Sequence, residues 1–236
     1  MQCCKQLYMK SKYQALFFLC CCISAATTVT AQTSIDTFYN TTYYQQKVTL
    51  FRLLPDTKGE IIFLGNSITD IGEWAEIWQN TRVKNRGISG DNTFGVLARL
   101  DEVVSSKPAK VFVMIGINDI SKEVPDSVII ANHKKIYTRI RVASPATKIY
   151  VQSILPTNAD FTEFRRHQGR DSQIQNVNAA LQKLCANMGL TYIDLYTPFL
   201  NKDGKLDKQY TNDGLHINGY GYMRWKQILT EKGVMK

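Results

Sequence analysis

Residues 60–69, Glu-Ile-Ile-Phe-Leu-Gly-Asn-Ser-Ile-Thr, decide how the rest of the chain is read. The run Glu60–Leu64 is apolar, rich in Ile and Phe, and too short for a helix, so it reads as a buried strand. Gly65 then permits a sharp turn, and the polar residues Asn66, Ser67 and Thr69 follow at once. A strand that ends on glycine and a hydroxyl is the beginning of a site as well as of a fold.

Four more runs have the same character: Arg82–Asn85 (RVKN), Lys110–Ile115 (KVFVMI), Lys148–Ile154 (KIYVQSI) and Leu190–Leu195 (LTYIDL). Helical periodicity lies between them. Trp74, Ile77 and Trp78 share one face, and Phe94, Leu97, Leu100 and Val104 another. Val128, Asn132, Ile136 and Ile140 lie on a long helix opened by Pro125 and Asp126. Ile174, Val177, Leu181, Leu184 and Met188 repeat at three and four, and a last helix from about Asn218 carries Tyr222, Trp225 and Leu229. Strand and helix in alternation predict a parallel sheet covered on both faces, an α/β fold of three-layer αβα sandwich type. Tyr43–Leu54 reads as an extra amphipathic helix ahead of the sheet, and Pro55–Gly59 as its turn.

Ligands of open α/β sheets bind beyond the carboxyl ends of the strands. Gly-Asn-Ser-Ile-Thr follows the first run, Gly87-Ile-Ser-Gly-Asp91 the second, and Gly116-Ile-Asn-Asp119 the third. A polar loop from Pro156 to about Ser172 follows the fourth, and Asp213-Gly-Leu-His216 comes after the fifth. A serine hydroxyl needs a base, and the sequence offers three histidines. His133, among Lys134, Lys135 and Arg139, is expected on the surface. His167 lies in a basic loop that can line the site. His216 has Asp213 three residues before it, so that carboxylate can accept from Nδ1–H and leave Nε2 for a serine. Asp213 and Asn218 can equally be read as helix caps. The backbone N–H groups of Ser67 and Gly90 and the side-chain amide of Asn118 are candidate oxyanion donors. The histidines show no metal-ligand spacing, which argues against a metal hydrolase. Gly-Asn-Ser-Ile-Thr is too poor in glycine for a phosphate-binding loop. No cofactor is expected.

GNSIT, SGD, GIND and DGLH, in this order, resemble the four sequence blocks of the SGNH or GDSL hydrolases. The wording NRGISGDNTFGVLARL and KVFVMIGINDI is similar to the branch of the platelet-activating-factor acetylhydrolase catalytic subunits. The resemblance spans roughly residues 60–232. It implies a flavodoxin-like five-stranded sheet of order 2-1-3-4-5 and a serine esterase working through an acyl-enzyme. It also implies Ser67 as nucleophile, Gly90 and Asn118 in the oxyanion hole, and Asp213 and His216 as acid and base. The aspartate that usually precedes the nucleophile is Asn66 here, a change expected to act on local charge or substrate preference. Thr69 stands where the G-x-S-x-G elbow of the α/β-hydrolases has glycine.

Residues 1–31 read as a secretory signal peptide: Lys5, Lys10 and Lys12, no acid before Asp36, an apolar core over 15–26, and Val29 and Ala31 before Gln32. Met9 is an alternative start. An uncleaved anchor, or lipid on Cys20, Cys21 or Cys22, is the other reading. The expected plan is a leader over 1–31, an N-terminal extension with a helix over 32–59, and a hydrolase domain over 60–236, exported to the periplasm or beyond the cell, with no stable membrane span after processing. Without the leader one cysteine of six remains, Cys185, expected as a buried inert thiol that can form no intramolecular disulfide. The formal charge of +9 falls by three, to +6. No dense Lys/Arg cluster interleaved with aromatics points to nucleic acid.

The expected substrate is a small-molecule or glycan ester, above all acetyl groups on carbohydrate. The alternative is a lysophospholipid or other lipid ester, and the remoter one a non-catalytic binding module. Asn66, Arg166 and His167 are the candidate substrate contacts.

Overall fold

The structure is a computed structural model that describes residues 35–236. The leader expected over 1–31 lies outside the described residues. The elements in order are α1 (Thr42–Leu53), β1 (Ile61–Gly65), α2 (Ser67–Asp70), α3 (Trp74–Ile77), β2 (Val83–Gly87), α4 (Thr93–Ala98), α5 (Leu100–Val104), β3 (Lys110–Met114), α6 (Ile117–Ser121), α7 (Asp126–Ala143), β4 (Lys148–Gln152), α8 (Asp171–Met188), β5 (Thr191–Ile193) and α9 (Gly219–Glu231). The five strands form one parallel sheet of order β2-β1-β3-β4-β5, as expected.

Alternation along each strand divides the core. Ile61 and Phe63 of β1 face one side with Phe112, Met114 and Tyr150, where Trp74, Tyr222 and Trp225 cover them. Ile62 and Leu64 face the other, with Val111, Val113, Ile149 and Val151, under α5, α7 and Cys185 of α8. Phe63 stacks on Trp74 at a centroid distance of 4.0 Å and on Phe112 at 4.9 Å. Cys185 is buried, and burial pushes its thiol up to about 11. α1 packs through Tyr44, Val48 and Phe51 against Ile88, and the Tyr44 hydroxyl donates to Gly95 O at 2.8 Å. No helix of the described residues is long and apolar enough to cross a membrane.

Three expectations are corrected. The second strand starts one residue later than RVKN and runs on to Gly87, in register Ile61↔Val83 to Gly65↔Gly87. The single helix read from Phe94 to Val104 is broken at Arg99, whose side chain turns inward and is 0% exposed. His133 is buried beneath the third strand's exit, 1% exposed, with Nδ1 2.6 Å from the Tyr137 hydroxyl.

That burial gives His133 a titration of its own. Desolvation pushes its imidazole down to about 4. The folded state therefore takes up its proton only well below the reference value near 6.5, where the unfolded chain already holds one. Stability contributed by neutral His133 is present above about pH 6.5 and is lost as pH falls toward 4. Buried Asp91 and Asp119, raised to about 6, act with the opposite sign in the same window. The isolating measurement is thus a difference: His133→Gln keeps a polar partner for Tyr137 but does not titrate. Urea denaturation from pH 7 to 4 should show the wild type losing about 1 kcal/mol per pH unit relative to the variant. Parallel profiles would mean that His133 is not the titrating group.

Candidate active site

β1 sits between β2 and β3, so the chains leaving β1 and β3 diverge and open a crevice at the carboxyl edge of the sheet. Gly65 ends β1 where a Cβ would meet Thr69 Oγ1 at 2.2 Å and Met114 O at 2.4 Å, so no side chain fits there. Asn66 caps α2, its Oδ1 accepting the Ile68 N–H at 3.1 Å. Ser67 is then the first residue of the helix, beside the crevice. Asn66 is 1% exposed. Its position is beneath the site, as a helix cap, and not on a surface that a substrate reaches.

His216 Nε2 lies 2.9 Å from Ser67 Oγ, and His216 Nδ1 lies 2.7 Å from Asp213 Oδ2. The hydrogen-bond network sets the tautomer: the carboxylate only accepts, so Nδ1 carries the proton and Nε2 is free to accept from the serine hydroxyl. The other Asp213 oxygen accepts the N–H groups of Leu215 and His216, both at 2.8 Å. Burial alone would raise the Asp213 carboxyl, but these three hydrogen bonds hold it below the usual carboxylate range. The turn is tied from below by Thr211, whose Oγ1 donates to His216 O at 2.7 Å and accepts the Gly214 N–H at 2.9 Å. The Phe164 ring stands edge-on to the His216 imidazole at 4.8 Å.

The expected donors lie on the loops that leave β1, β2 and β3 at this edge. Among the described residues, the N–H groups of Ser67 and Gly90 donate to nothing. Gly90 is exposed with φ at +81°, a conformation in which its N–H stands open and a side chain would be strained. Asn118 Nδ2 donates one N–H to Asp91 O at 2.7 Å, and its Oδ1 is 2.9 Å from His167 Nε2. His167 therefore belongs to the site, in contact with Asn118. Arg166 is exposed on the same short 3-10 turn, Arg165–His167.

Several supporting residues escaped the sequence reading. Arg99 binds Asp91 Oδ2 at 2.9 Å, Glu102 Oε1 at 2.9 Å and Arg86 O at 2.9 Å, and Arg86 closes the set on Glu102 at 3.0 Å. Burial raises the Asp91 carboxyl to about 6 in spite of the guanidinium that pairs with it. Asp119 accepts from the Thr93 hydroxyl at 2.6 Å, and Asn132 donates to the same oxygen of Thr93 at 2.9 Å. Asp70 accepts from Ser89 N–H and Oγ, from Lys47 and from Tyr43, joining α1 to the loop that carries Gly90. These bonds hold in place the loops that carry Gly90 and Asn118. No signal of period or spacing links Asp91 to Arg99. No cluster of metal-ligating side chains occurs among the described residues.

A hydroxyl, an imidazole and a carboxylate in line, at the carboxyl edge of a 2-1-3-4-5 parallel sheet, define a serine ester hydrolase. The chain belongs to the GDSL-like lipase/acylhydrolase family, whose profile matches residues 63–224. The platelet-activating factor acetylhydrolase IB subunit alpha2 of Rattus norvegicus is 29% identical over 178 residues, covering 72% of this chain and 73% of the relative. A solved structure from Streptococcus pneumonia, described as a platelet activating factor, is similar at a TM-score of 0.75 and 29% identity, over 80% of this chain and 92% of that one. An acetylxylan esterase from Geobacillus stearothermophilus shares the fold, with a TM-score of 0.62 at 17% identity over 77% and 98% of the two chains.

Proposed function

We propose that this acylhydrolase removes short acyl groups, acetyl above all, from carbohydrate, with Ser67, His216 and Asp213 as its triad. The observation that carries the reading is the unbroken relay from Ser67 Oγ through His216 to Asp213. Ser67 Oγ attacks the ester carbonyl carbon while His216 Nε2 takes the hydroxyl proton. The carbonyl oxygen becomes an oxyanion that the Ser67 and Gly90 N–H groups and Asn118 Nδ2 receive. On collapse the C–O bond breaks, the imidazolium gives its proton to the leaving alcohol, and an acyl-serine remains. Water, deprotonated by His216, repeats the sequence and frees the acid.

Acetyl is the acyl group named both for the acetylhydrolase relatives and for the acetylxylan esterases that share the fold. Carbohydrate on the alcohol side is favoured by the loop after β4. It spans the 18 residues between Gln152 and Asp171, holds Phe161 and Phe164, exposes Arg165 and Arg166, and has no long apolar run from which to build a lid. The relatives named for platelet-activating factor favour a lipid alcohol instead. Purified protein should be assayed on acetylated xylan, on an acetylated glycerolipid and on nitrophenyl esters of rising chain length. Acetate release from xylan is expected, with kcat/KM at least about tenfold higher for the acetyl than for the octanoyl nitrophenyl ester. Release from the lipid alone would transfer the reading to lipid esters.

Export belongs to the same proposal, because polymeric carbohydrate esters lie outside the cytoplasm. The Lys-rich start, the apolar core and Val29-Thr-Ala31 support it. The intact mass of protein recovered from the producing cell should correspond to a chain starting at or near Gln32. A mass retaining residues 15–31 would contradict cleavage, and added lipid mass would indicate acylation at Cys20, Cys21 or Cys22.

A further inference from the structure

We propose that His167 is a positioning residue for the oxyanion hole, its Nε2–H fixing and polarising the Asn118 amide through Oδ1. The inference rests on the reading of Asn118 as an oxyanion donor. It begins at Asp91, whose backbone carbonyl can only accept. The Asn118 group 2.7 Å from that carbonyl must therefore be Nδ2, and the group turned to His167 must be Oδ1. Oδ1 also only accepts, so the imidazole nitrogen at 2.9 Å carries a proton, and His167 is the Nε2–H tautomer. Its Nδ1 is buried with no partner, a place where an N–H would be an uncompensated donor.

One donor can therefore do two things. It stops the amide from rotating, so the second Nδ2 hydrogen keeps its aim at the reacting carbon's oxygen. It also draws electron density onto Oδ1, which makes the Nδ2 hydrogens better donors as negative charge develops. Asn118 thus bridges two loops, with Asp91 on one side and the loop after β4 on the other. Burial, and then the neighbouring His216 and Arg166, push the His167 imidazole down to about 4, so it stays neutral while the enzyme works. The titratable and charged groups that bear on it are His216, paired with Asp213, and Arg166, whose own charge acts on Asp36 and Glu123. A base must receive a proton from the nucleophile; His167 directs its one ring proton at Asn118, and the hydrogen bond of Ser67 Oγ goes to His216.

The experiment is a double-mutant cycle on nitrophenyl acetate, a substrate too small to reach a distant binding contact. Asn118→Ala should lower kcat by about 100- to 1000-fold, the usual loss for one oxyanion donor. His167→Ala should lower kcat by about tenfold and leave KM within about twofold, because the contact matters in the transition state. In the Asn118→Ala background the His167→Ala change should have no further effect. His167→Gln, whose amide N–H can reach Oδ1, should regain most of the lost kcat.

Multiplying effects in the double variant overturn the proposal, as does a His167→Ala change confined to KM. A His167→Gln protein no better than His167→Ala would leave only a packing role and overturns it too. Near-normal kcat in Asn118→Ala would sink the reading of Asn118, a failure distinguishable from additivity between two damaging changes. Should His167→Ala fail to fold, ¹⁵N spectra of the unaltered protein decide: an Nε2–H tautomer unchanged from pH 8 to 5 supports the assignment, and an Nδ1–H tautomer refutes it.

Discussion

Ser67→Ala is expected to lower kcat on nitrophenyl acetate by on the order of 10⁶-fold, the loss that follows removal of a triad nucleophile. KM should stay near its original value wherever it reports binding, since the alanine removes one oxygen and leaves the backbone N–H of residue 67 in place. The pre-steady-state burst of nitrophenol should vanish with it, because no acyl-enzyme can form. A fluorophosphonate should label the parent protein at Ser67 alone and leave the variant unlabelled. Ser67 Oγ gains its reactivity from its partner at 2.9 Å, and among the described residues no other serine or threonine hydroxyl is hydrogen-bonded to an imidazole. Stability should change little: Ser67 is the first residue of α2, and the cap of that helix is the Asn66 side chain, which the substitution leaves untouched. A folded Ser67→Ala protein that still turns over with a burst would remove Ser67 from the chemistry.

The order of the sheet and the main helices were legible because buried parallel strands are written in Val, Ile and Phe, and helices at intervals of three and four. Where the reading slipped, a polar side chain had turned inward. Asn85 and Arg86 make β2 look like a loop. Yet Asn85 Nδ2 binds Asp70 O and Gly72 O at 2.9 Å each, and Arg86 pairs with Glu102. Both serve the edge strand as anchors to its neighbours, a use that hydrophobic patterning does not register. The exposed neighbours Lys134 and Lys135 make His133 read as a surface residue. The buried face of α7 is wider than the predicted one: it keeps Asn132, Ile136 and Ile140 and adds Ile129, His133 and Tyr137.

The triad stood out in the sequence because Asp213 and His216 share one turn, three residues apart, and one glycine-ended strand delivers Ser67. Its support did not. Asn118 and His167 are 49 positions apart and meet only because adjacent strands, β3 and β4, release their loops on the same edge. Asp91 and Arg99 meet because the helix breaks between Ala98 and Leu100. Asn66 kept the polar character of its position, and its role as a neutral cap required the fold to be seen. An aspartate there would satisfy the same Ile68 N–H, so asparagine can replace it without loss of the cap.

His216→Ala should be nearly as damaging as Ser67→Ala, on the order of 10⁶-fold in kcat, and the two changes together should be no worse than either alone. The reason is that they act as one unit: without Nε2 to take its proton, the Ser67 hydroxyl is an ordinary alcohol. Asp213→Ala should retain more activity, with a loss nearer 10⁴-fold. The carboxylate orients the ring and stabilises the imidazolium, and part of the orientation survives in the edge-on contact with Phe164 and in the Thr211 bond to His216 O. The graded result, Ser67 and His216 equal and Asp213 milder, separates a relay from a set of independent substrate contacts, whose losses would multiply. It also tests the rival base, His167. His167 faces Asn118 through Nε2, and its Nδ1 is buried and unpaired, so neither nitrogen is placed to receive the Ser67 proton. If turnover on nitrophenyl acetate survived His216→Ala but disappeared in His167→Ala, the base would have to be reassigned to His167. The 2.9 Å contact between His216 and Ser67 would then be a ground-state hydrogen bond with no part in the reaction.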